Sequence, residues 1–228
     1  MPGKPPAISA TRSVERALTL LATVCSGQAS TLAECARLTD LPASTALRLL
    51  RTLEQGEFIA RDDEGDGGYR SGPRMVQLGA QALAREQLIP LCTPALQNLV
   101  SVTGESAYLS VRGPGVSSLY IAMVEGTHSI RHSSWVGRTV PLAGSAAGTV
   151  LLGRVPERGF VTLRSAVEQD VTAIAAPIRR PGGIAGVLSI VGPDYRIDHP
   201  TAERYGQLLV AEAATVARSL GVEQTTGA

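Results

Sequence analysis

Three short helical patterns followed closely by two strand patterns occupy residues 12–71, and no other feature restricts the fold of this chain as strongly. In the first pattern, Ser13 is placed to cap a helix and Gly27 to end it. The apolar residues of this pattern recur at helical spacing, at Val14, Ala17, Leu18, Leu21 and Val24. The spacing predicts an amphipathic helix.

The second and third patterns are joined by a tight turn. Ser30 and Thr31 can cap a short second helix, which the break Asp40-Leu41-Pro42 ends. Pro42 then opens a third helix at a position where its missing N–H costs nothing, and Gly56 ends that helix. The apolar stripe of the third helix consists of Ala46, Leu47, Leu49, Leu50 and Leu53. Two helices joined in this way are typical of a helix-turn-helix.

A hairpin pattern follows the three helices. Residues 58–61 and 68–71 favour short strands, and the acidic, Gly-rich stretch 62–67 between them is typical of an exposed turn. Three helices and a hairpin predict a winged helix-turn-helix, whose third helix lies in a DNA major groove. Hydroxyl and guanidinium groups suit phosphate oxygens and base edges. The candidate DNA-binding residues are Ala43, Ser44, Thr45, Arg48 and Arg51 on the third helix, and Arg61, Arg70 and Arg74 in or beside the wing.

The charge of the chain restricts how it can bind DNA. Lys and Arg number 21 and Asp and Glu number 20, which gives a formal net charge of +1 at pH 7. This balance excludes nucleic-acid binding by bulk charge alone. Between Asp40 and Glu54 the chain carries two arginines and no acid, so a local contact is expected. An ordinary solvated helix face and a protein-binding winged helix are the alternatives that this pattern leaves open.

The second half of the chain changes character. Residues 73–88 are helical in pattern, and Pro90 and Pro94 are expected to interrupt the chain before a further helix at 95–103. The β-rich runs that follow are 107–112, 118–124, 129–134, 173–178 and 185–191. A last helix is predicted over 201–220. The expected fold is α+β, with a winged helix-turn-helix, a linker helix and a body of sheet and helices.

Segments in both halves of the chain resemble the IclR family of bacterial transcriptional regulators. In the first half they are SVERAL at 13–18, the helix at 42–53, EQGEFI at 54–59 and YRSGPR at 69–74. In the second half they are PLAGSAAG at 141–148, IAAPI at 174–178 and GVLSIVGP at 186–193. Two motif sets in the expected order make this resemblance more specific than a helix-turn-helix match alone.

The resemblance implies a regulator in which a small-molecule effector, bound in a GAF-like α/β domain, modulates affinity for an operator. It implies an operator palindrome of double-stranded DNA, bound by a homodimer or a dimer of dimers. The expected domains are a winged helix-turn-helix at 10–74, a linker helix at 75–91 and the effector domain at 92–222. The effector contacts carried over from the family are Ser145, Ala146 and Ala147 in the small-residue loop, and Ala173 and Ser189 on the strands.

The chain departs from the family pattern where the effector would bind. Leu152–Val171 is much shorter than the family's usual spacing, so a helical hairpin is expected to be reduced. Ala173 and Val191 stand where polar residues are usual, which favours an apolar or differently shaped effector. Trp135, the one tryptophan, is a pocket wall, a dimer contact or part of the core. The alternative function is an effector-insensitive DNA-binding or protein-interaction scaffold with a degenerate pocket.

Several other classes of function are not expected. No acid, base and nucleophile converge in the sequence, and the serine in residues 144–148 has the wrong spacing for a nucleophile turn. His128 and His132 lack acidic or thiol neighbours, which favours surface or pocket-rim histidines over zinc ligands. Three cysteines without a CxxC pair indicate structural thiols, and no apolar run is long enough for a membrane span. We therefore expect a cytoplasmic protein that is not an enzyme and has no metal, cofactor or membrane partner.

Overall fold

A computed structural model of the protein describes residues 11–62 and 67–221. The chain divides into two compact units, Met1–Glu86 and Gln87–Ala228. The expected α+β fold is confirmed, since a helical unit with a small hairpin precedes a unit that is built on one antiparallel sheet. The finer domain boundaries given above stay a prediction.

In its described part, the first unit contains four helices and a two-stranded hairpin. They are α1 (Arg12–Cys25), α2 (Leu32–Leu38), α3 (Ala43–Gln55), β1 (Ile59–Arg61), β2 (Tyr69–Ser71) and α4 (Pro73–Ala84). The two strands pair antiparallel, with Ala60 opposite Arg70. Residues 63–66 of the predicted turn lie outside the described residues. Helices α2 and α3, together with the hairpin, form the predicted winged helix-turn-helix.

Local hydrogen bonds explain where the helices begin. Thr31 caps α2 as predicted: its hydroxyl accepts from the Glu34 N–H at 3.3 Å, and the Glu34 carboxylate accepts from the Thr31 N–H at 3.0 Å. The prediction that Ser13 caps α1 is wrong, because the helix already begins at Arg12. Pro42 precedes α3 instead of opening it, since its ψ angle of 139° is not helical.

Side chains from α1, α2, α3 and both strands meet in one core. Its fully buried members include Leu20, Cys35, Ala46, Leu50 and Ile59. Burying a leucine side chain stabilises a fold by about 2 kcal/mol, so α3 is held to this core along its Ala46 and Leu50 side. The opposite side of α3 is left to solvent.

In its described part, the second unit contains a six-stranded antiparallel sheet and three helices. They are α5 (Leu88–Thr103), β3 (Ser106–Arg112), β4 (Ser117–Val124), β5 (Thr139–Pro141), α6 (Ala146–Leu151), β6 (Val161–Arg164), β7 (Val171–Arg180), β8 (Gly183–Pro193) and α7 (His199–Ser219). The strand order is β5-β4-β3-β8-β7-β6. Helices α5 and α7 cover one face of the sheet. Leu96 of α5 and Leu209 of α7 belong to one core with Leu188 of β8. The short α6 packs on the other face, where Val150 meets Ala175 and Val187.

A single helix, α5, stands where Pro90 and Pro94 were predicted to break the chain. Pro90 lies in the first turn, where a helix leaves the backbone N–H without an internal partner. Pro94 lies inside the helix, where a proline costs about 3 kcal/mol. Burial of Leu96 and Leu99 against the sheet offsets this cost, so the predicted interruption is wrong.

The predicted strand at 129–134 is also wrong, because this segment forms no strand. Side chains of β3 donate hydrogen bonds to two backbone carbonyls of this segment. Ser106 donates to the His132 carbonyl at 3.1 Å, and Tyr108 donates to the Ser133 carbonyl at 2.7 Å. The edges of the sheet are β5 and β6, which have three and four residues and are too short to show an alternating pattern.

None of the helices in the described part of the chain is long and apolar enough to cross a membrane. Residues 11–62 and 67–221 contain no group of three or more His, Cys, Asp or Glu side chains that could hold a metal ion. Cys25, Cys35 and Cys92 form no disulfide with one another. Burial raises the pKa of the Cys35 thiol, which suits a structural and not a reactive cysteine.

Candidate functional site

Helix α3 presents the predicted DNA-reading residues to solvent. Ala43, Ser44, Arg48 and Arg51 are exposed, and Thr45 is half-buried. The first turn of α3 carries no acidic residue, so the positive end of the helix dipole is not compensated there. Hydroxyl and guanidinium groups on one exposed face can bind phosphate oxygens and base edges. Contacts on this side would leave the core of the first unit undisturbed.

A groove of about 410 Å³ lies beside this face, between α1 and α3. It is lined by Thr11, Arg12, Ser13, Arg16, Thr45, Arg48 and Leu49. Arg12, Arg16 and Arg48 form no ion pair with any residue that the structure describes. Three guanidinium groups without acidic partners favour an anionic chain such as a phosphate backbone. The sequence pattern did not indicate Arg12 and Arg16, because helical spacing does not tell which helix lies beside the polar side of α1.

The three arginines predicted in or beside the wing differ from the arginines of the groove, because each of them has an acidic partner. Arg61 Nε lies 3.5 Å from Glu54 Oε1, Arg70 Nε 3.6 Å from Asp62 Oδ1, and Arg74 Nη2 3.6 Å from Glu57 Oε2. Arg61 also donates to the Tyr69 hydroxyl at 2.9 Å. Exposed pairs of this kind are worth at most about 1 kcal/mol, so phosphate could replace the carboxylates.

The second unit contains a small cavity between α6 and the sheet, with a volume of about 20 Å³. It is lined by Tyr120, Trp135, Ser145, Ala146, Leu163, Ala166, Val167, Glu168, Val171, Ala173 and Val191. A volume of this size holds one water molecule, whereas ligand pockets commonly measure about 300 Å³ or more. In this structure the cavity is therefore closed around its own side chains.

Four of the six predicted effector residues line this cavity: Ser145, Ala146, Ala173 and Trp135. Ala147 instead packs in the core beneath α6. Ser189 lies on β8 opposite Tyr108, and its buried hydroxyl has no partner among the described residues. Tyr120 and Glu168 were not predicted, because they come from a strand and a loop that are distant in sequence from the small-residue motif.

The small-residue motif is explained by close packing of the backbone. A Cβ atom on Gly148 would lie 2.2 Å from the Leu142 carbonyl oxygen, so a larger residue cannot stand there. Ser145 caps α6: its hydroxyl accepts from the Gly148 N–H at 3.1 Å and donates to the Pro141 carbonyl at 2.7 Å. The Ser145 hydroxyl is thus already engaged, although the residue lines the cavity.

Aromatic rings form one wall of the cavity. The Trp135 ring is edge-to-face with Tyr120, at a centroid distance of 5.5 Å, and with His132, at 4.7 Å. Trp135 is only 5% exposed, and its indole N–H has no hydrogen-bond partner among the described residues. Burial raises the pKa of Tyr120 to about 12. Trp135 is therefore both a core residue and a cavity wall.

A chain of hydrogen-bonding side chains continues from this wall to the surface. His132 Nδ1 lies 2.7 Å from the Tyr108 hydroxyl, and His132 Nε2 lies 3.2 Å from the Glu168 carboxylate. The His132 side chain is 4% exposed and that of Glu168 is 41% exposed. Burial lowers the pKa of His132 from its ordinary value, and the neighbouring Glu168 carboxylate offsets only part of this effect. His132 is accordingly neutral at pH 7.

Comparisons with known proteins agree with both halves of this description. A family model described as "IclR helix-turn-helix domain" matches residues 13–63. A second one, described as "Bacterial transcriptional regulator IclR C-terminal", matches residues 80–160. Together the two matches include α3 and the first hairpin strand, β1, in the first unit, and Trp135 and the small-residue motif in the second.

Two curated relatives come from Escherichia coli K12. Transcriptional repressor IclR is 30% identical over 160 residues, which are 69% of this chain and 58% of that protein. HTH-type transcriptional repressor AllR is 23% identical over 257 aligned positions, which cover 96% of this chain and 94% of AllR. The chain thus spans less than two thirds of the first relative and nearly all of the second. Neither relative is named as an enzyme.

Solved structures share the fold. An IclR homologue from Microbacterium hydrocarbonoxydans, crystallised as a complex with 4-hydroxybenzoate, has a TM-score of 0.72 to this chain at 21% identity. The superposition covers 92% of this chain and 100% of the other. The two proteins therefore share the fold.

Proposed function

Because the chain belongs to the IclR family of bacterial transcriptional regulators, we propose that it represses transcription by binding operator DNA through α3. The observation that carries this proposal is the groove beside α3, where Arg12, Arg16 and Arg48 have no acidic partner in the described residues. A surface that gathers such arginines next to an exposed helix has the electrostatics of a DNA-binding face. Repression is proposed because the relatives IclR and AllR are both named repressors.

Different residues of the first unit would contact the bases and the phosphates of the DNA. Ser44, Thr45, Arg48 and Arg51 would face the major groove, with Ala43 at the start of the helix. Arg12 and Arg16 would bind phosphates beside the helix, and the wing residues Arg61, Arg70 and Arg74 would bind phosphates farther along. Base contacts would then come from α3 alone, and the remaining contacts would position it.

A second copy of the chain is expected to take part in DNA binding. Helix α4 buries none of its side chains, and it exposes Val76, Leu78 and Leu83. Exposed apolar side chains on a helix favour association, and two winged helix-turn-helix units bound to a palindrome would double the contacts to DNA. We propose a homodimer or a dimer of dimers. A monomer in sedimentation at working concentration would contradict this.

The second unit is proposed to bind a small effector in the cavity between α6 and the sheet. Support comes from the unpartnered Trp135 N–H and from the aromatic wall that it shares with Tyr120. The side chains that line the cavity are mostly apolar, which favours a compact and largely apolar effector. Binding would have to open the cavity, because its present volume of about 20 Å³ admits no metabolite.

The closed cavity also favours the second candidate function, a scaffold that binds DNA or a protein without an effector. In that case the residues around Trp135 would be core residues only. The two candidates differ in one measurable respect, since only the first predicts that a small molecule changes DNA affinity.

Mobility shift of the purified protein on its own upstream DNA tests both candidates. A scrambled duplex serves as the control, two salt concentrations are used, and small carboxylates and aromatic compounds are added in turn. Specific, salt-dependent binding that a compound alters supports the effector-responsive repressor. Specific binding that no compound alters favours the scaffold. Equal binding to both duplexes would contradict the proposal of an operator in this DNA.

A further inference from the structure

The cavity of the second unit has an unusual charge. Of the described residues that line it, Glu168 alone carries a formal charge, and the others are aromatic, aliphatic or the already engaged Ser145. A carboxylate at an otherwise apolar wall favours a cation and repels an anion. The lining of the cavity thus selects among ligands by their charge.

No cation in the described residues neutralises Glu168. Its partner His132, at 3.2 Å, is kept neutral by burial, and a neutral imidazole has a single N–H. Glu168 competes for this N–H with the Tyr108 hydroxyl, whose own proton goes to the Ser133 carbonyl. Arg138 stacks on the Trp135 ring and is exposed, and Arg131 pairs with Glu125 at 3.0 Å. The negative charge at this end of the cavity is therefore open to a better partner than His132.

Trp135 needs a hydrogen-bond acceptor, whereas Glu168 needs a donor. Its indole N–H is a donor only, it is buried, and no described residue accepts from it. A ligand that completes this site needs an acceptor for the indole N–H and a positive donor for Glu168, with an apolar body between them. Aromatic walls suit such a body, because ring faces attract both cations and other rings.

The segment that carries Glu168 is held at both ends but is accessible from solvent. Residues 166–169 lie between Ser165 and Asp170, which both have a left-handed backbone, with φ angles of 46° and 58°. Hydrogen bonds hold both ends of this segment: the Ser165 N–H donates to the Val171 carbonyl at 2.8 Å, and the Asp194 N–H donates to the Asp170 carbonyl at 2.9 Å. Glu168 also lines an outer groove of about 260 Å³, so a ligand can reach its carboxylate from solvent.

We propose that the effector of this protein is a small arylalkylamine, whose ammonium group replaces His132 as the partner of Glu168 and whose far end accepts a hydrogen bond from Trp135. This inference rests on the proposed effector-binding function and names the chemical class that the cavity selects. Glu168 is then the residue that determines specificity. No covalent step is involved, since one hydrogen-bond donor replaces another.

Three compounds of one shape and different charge test the proposal: 4-hydroxybenzylamine (+1), 4-hydroxybenzamide (0) and 4-hydroxybenzoate (−1). Binding to the full chain is measured by calorimetry and by the fluorescence of Trp135, which is the one tryptophan in the sequence. The amine is expected to bind about tenfold more tightly than the benzoate, because the Glu168 carboxylate attracts the ammonium group and repels the carboxylate of the benzoate. The amide is expected to lie between them.

Two variants assign the preference to Glu168. Glu168→Gln is expected to remove most of the difference between amine and benzoate. His132→Gln deletes the competing imidazole and is expected to leave the preference for the amine in place. Glu203→Gln is the matched control, because that carboxylate lies on α7, pairs with Arg158 and lines no part of the cavity. Thermal unfolding of each variant checks that it folds.

The outcomes separate this inference from the proposed function. Benzoate binding as tight as amine binding, no binding of any of the three compounds, or an unchanged preference in Glu168→Gln would overturn the inference. Mobility shift on the operator, run on the same protein, reports on the proposed function independently. Specific DNA binding without a preference for the amine would leave the repressor proposal intact and would contradict only the proposal of an arylalkylamine effector.

Discussion

Glu105, whose side chain is only 1% exposed, accepts two hydrogen bonds from the Arg196 guanidinium, at 2.6 and 2.9 Å. The pair joins the start of β3 to the loop between β8 and α7, two parts of the second unit that are far apart in sequence. These bonds raise the pKa of Arg196. His128 Nε2 lies 3.8 Å from the same carboxylate and is a weaker neighbour. The buried charge of Glu105 therefore depends mainly on Arg196.

Removing Arg196 should destabilise the second unit. Arg196→Met leaves a buried carboxylate without its partner and is expected to cost about 3 kcal/mol in the free energy of unfolding, measured by urea denaturation. Arg158→Met is the control: its pair with Glu203 is largely exposed and is expected to matter by less than about 1 kcal/mol. A double variant with Glu105→Gln should recover part of the loss. Equal stability of Arg196→Met and the natural protein would show that Glu105 finds another partner.

Stability should also depend on pH through His132. Its pKa in the folded protein is lowered by burial, so the unfolded chain binds a proton more readily than the fold does. The contribution of neutral His132 is therefore present above about pH 6.5, the ordinary pKa of histidine, and is lost as the pH falls below it. Denaturation at pH 7.5, 6.5 and 5.5 measures this loss.

His132→Gln should flatten that pH dependence, because glutamine does not titrate. His199→Gln, which changes an exposed histidine in α7, should leave the dependence as it is in the natural protein. A curve for His132→Gln that is parallel to that of the natural protein would assign the pH dependence to other groups.

Gly148 offers a test of the backbone packing beneath α6. A Cβ at this position would meet the Leu142 carbonyl oxygen at 2.2 Å, so Gly148→Ala should destabilise the second unit by about 2 kcal/mol. Gly79→Ala is the matched control in α4, where a Cβ would meet nothing within 4 Å. Removing a helical glycine there should stabilise the protein by about 0.5 kcal/mol. Thermal unfolding compares the two, and similar shifts would argue against the close contact.

Local pattern predicted the first unit well, because its helices and hairpin are set by capping residues and by apolar spacing within a few residues. Thr31 and its partner Glu34 are an example. The second unit was predicted less completely. Strands β5 and β6 lie at the edges of the sheet and have too few residues to show a period. Helix α5 passes through Pro94 because of contacts with strands that follow much later in the chain.

The two candidate sites also differ in how much of each could be predicted from the sequence. The residues of α3 lie on one helix face, and sequence spacing is enough to find them. Arg12 and Arg16 join that face only because α1 packs beside α3, which no local pattern indicates. In the second unit, Glu168 reaches the cavity from the segment that is shorter than the family spacing. The charge of the cavity is thus set by a part of the chain for which the family pattern gave no guide.

The proposed DNA contacts give the last prediction: under this proposal, Arg48 contacts a base and Arg16 contacts a phosphate. Arg48→Ala removes a base contact and should cost about 1 to 3 kcal/mol on the operator but much less on a scrambled duplex. Arg16→Ala removes a phosphate contact and should weaken both duplexes alike, with a salt dependence reduced by about one unit of slope. Arg70→Ala should act like Arg16→Ala but more weakly, because Arg70 must first leave Asp62.

Mobility shift at several salt concentrations measures all three variants. Arg179→Ala, an exposed arginine on β7 of the second unit, is the charge-matched control and should bind both duplexes normally. If Arg48→Ala lost equal affinity for operator and scrambled DNA, Arg48 would be a phosphate contact and the reading of bases would have to be assigned to Ser44, Thr45 and Arg51. If Arg16→Ala bound normally, the groove between α1 and α3 would lie outside the DNA interface.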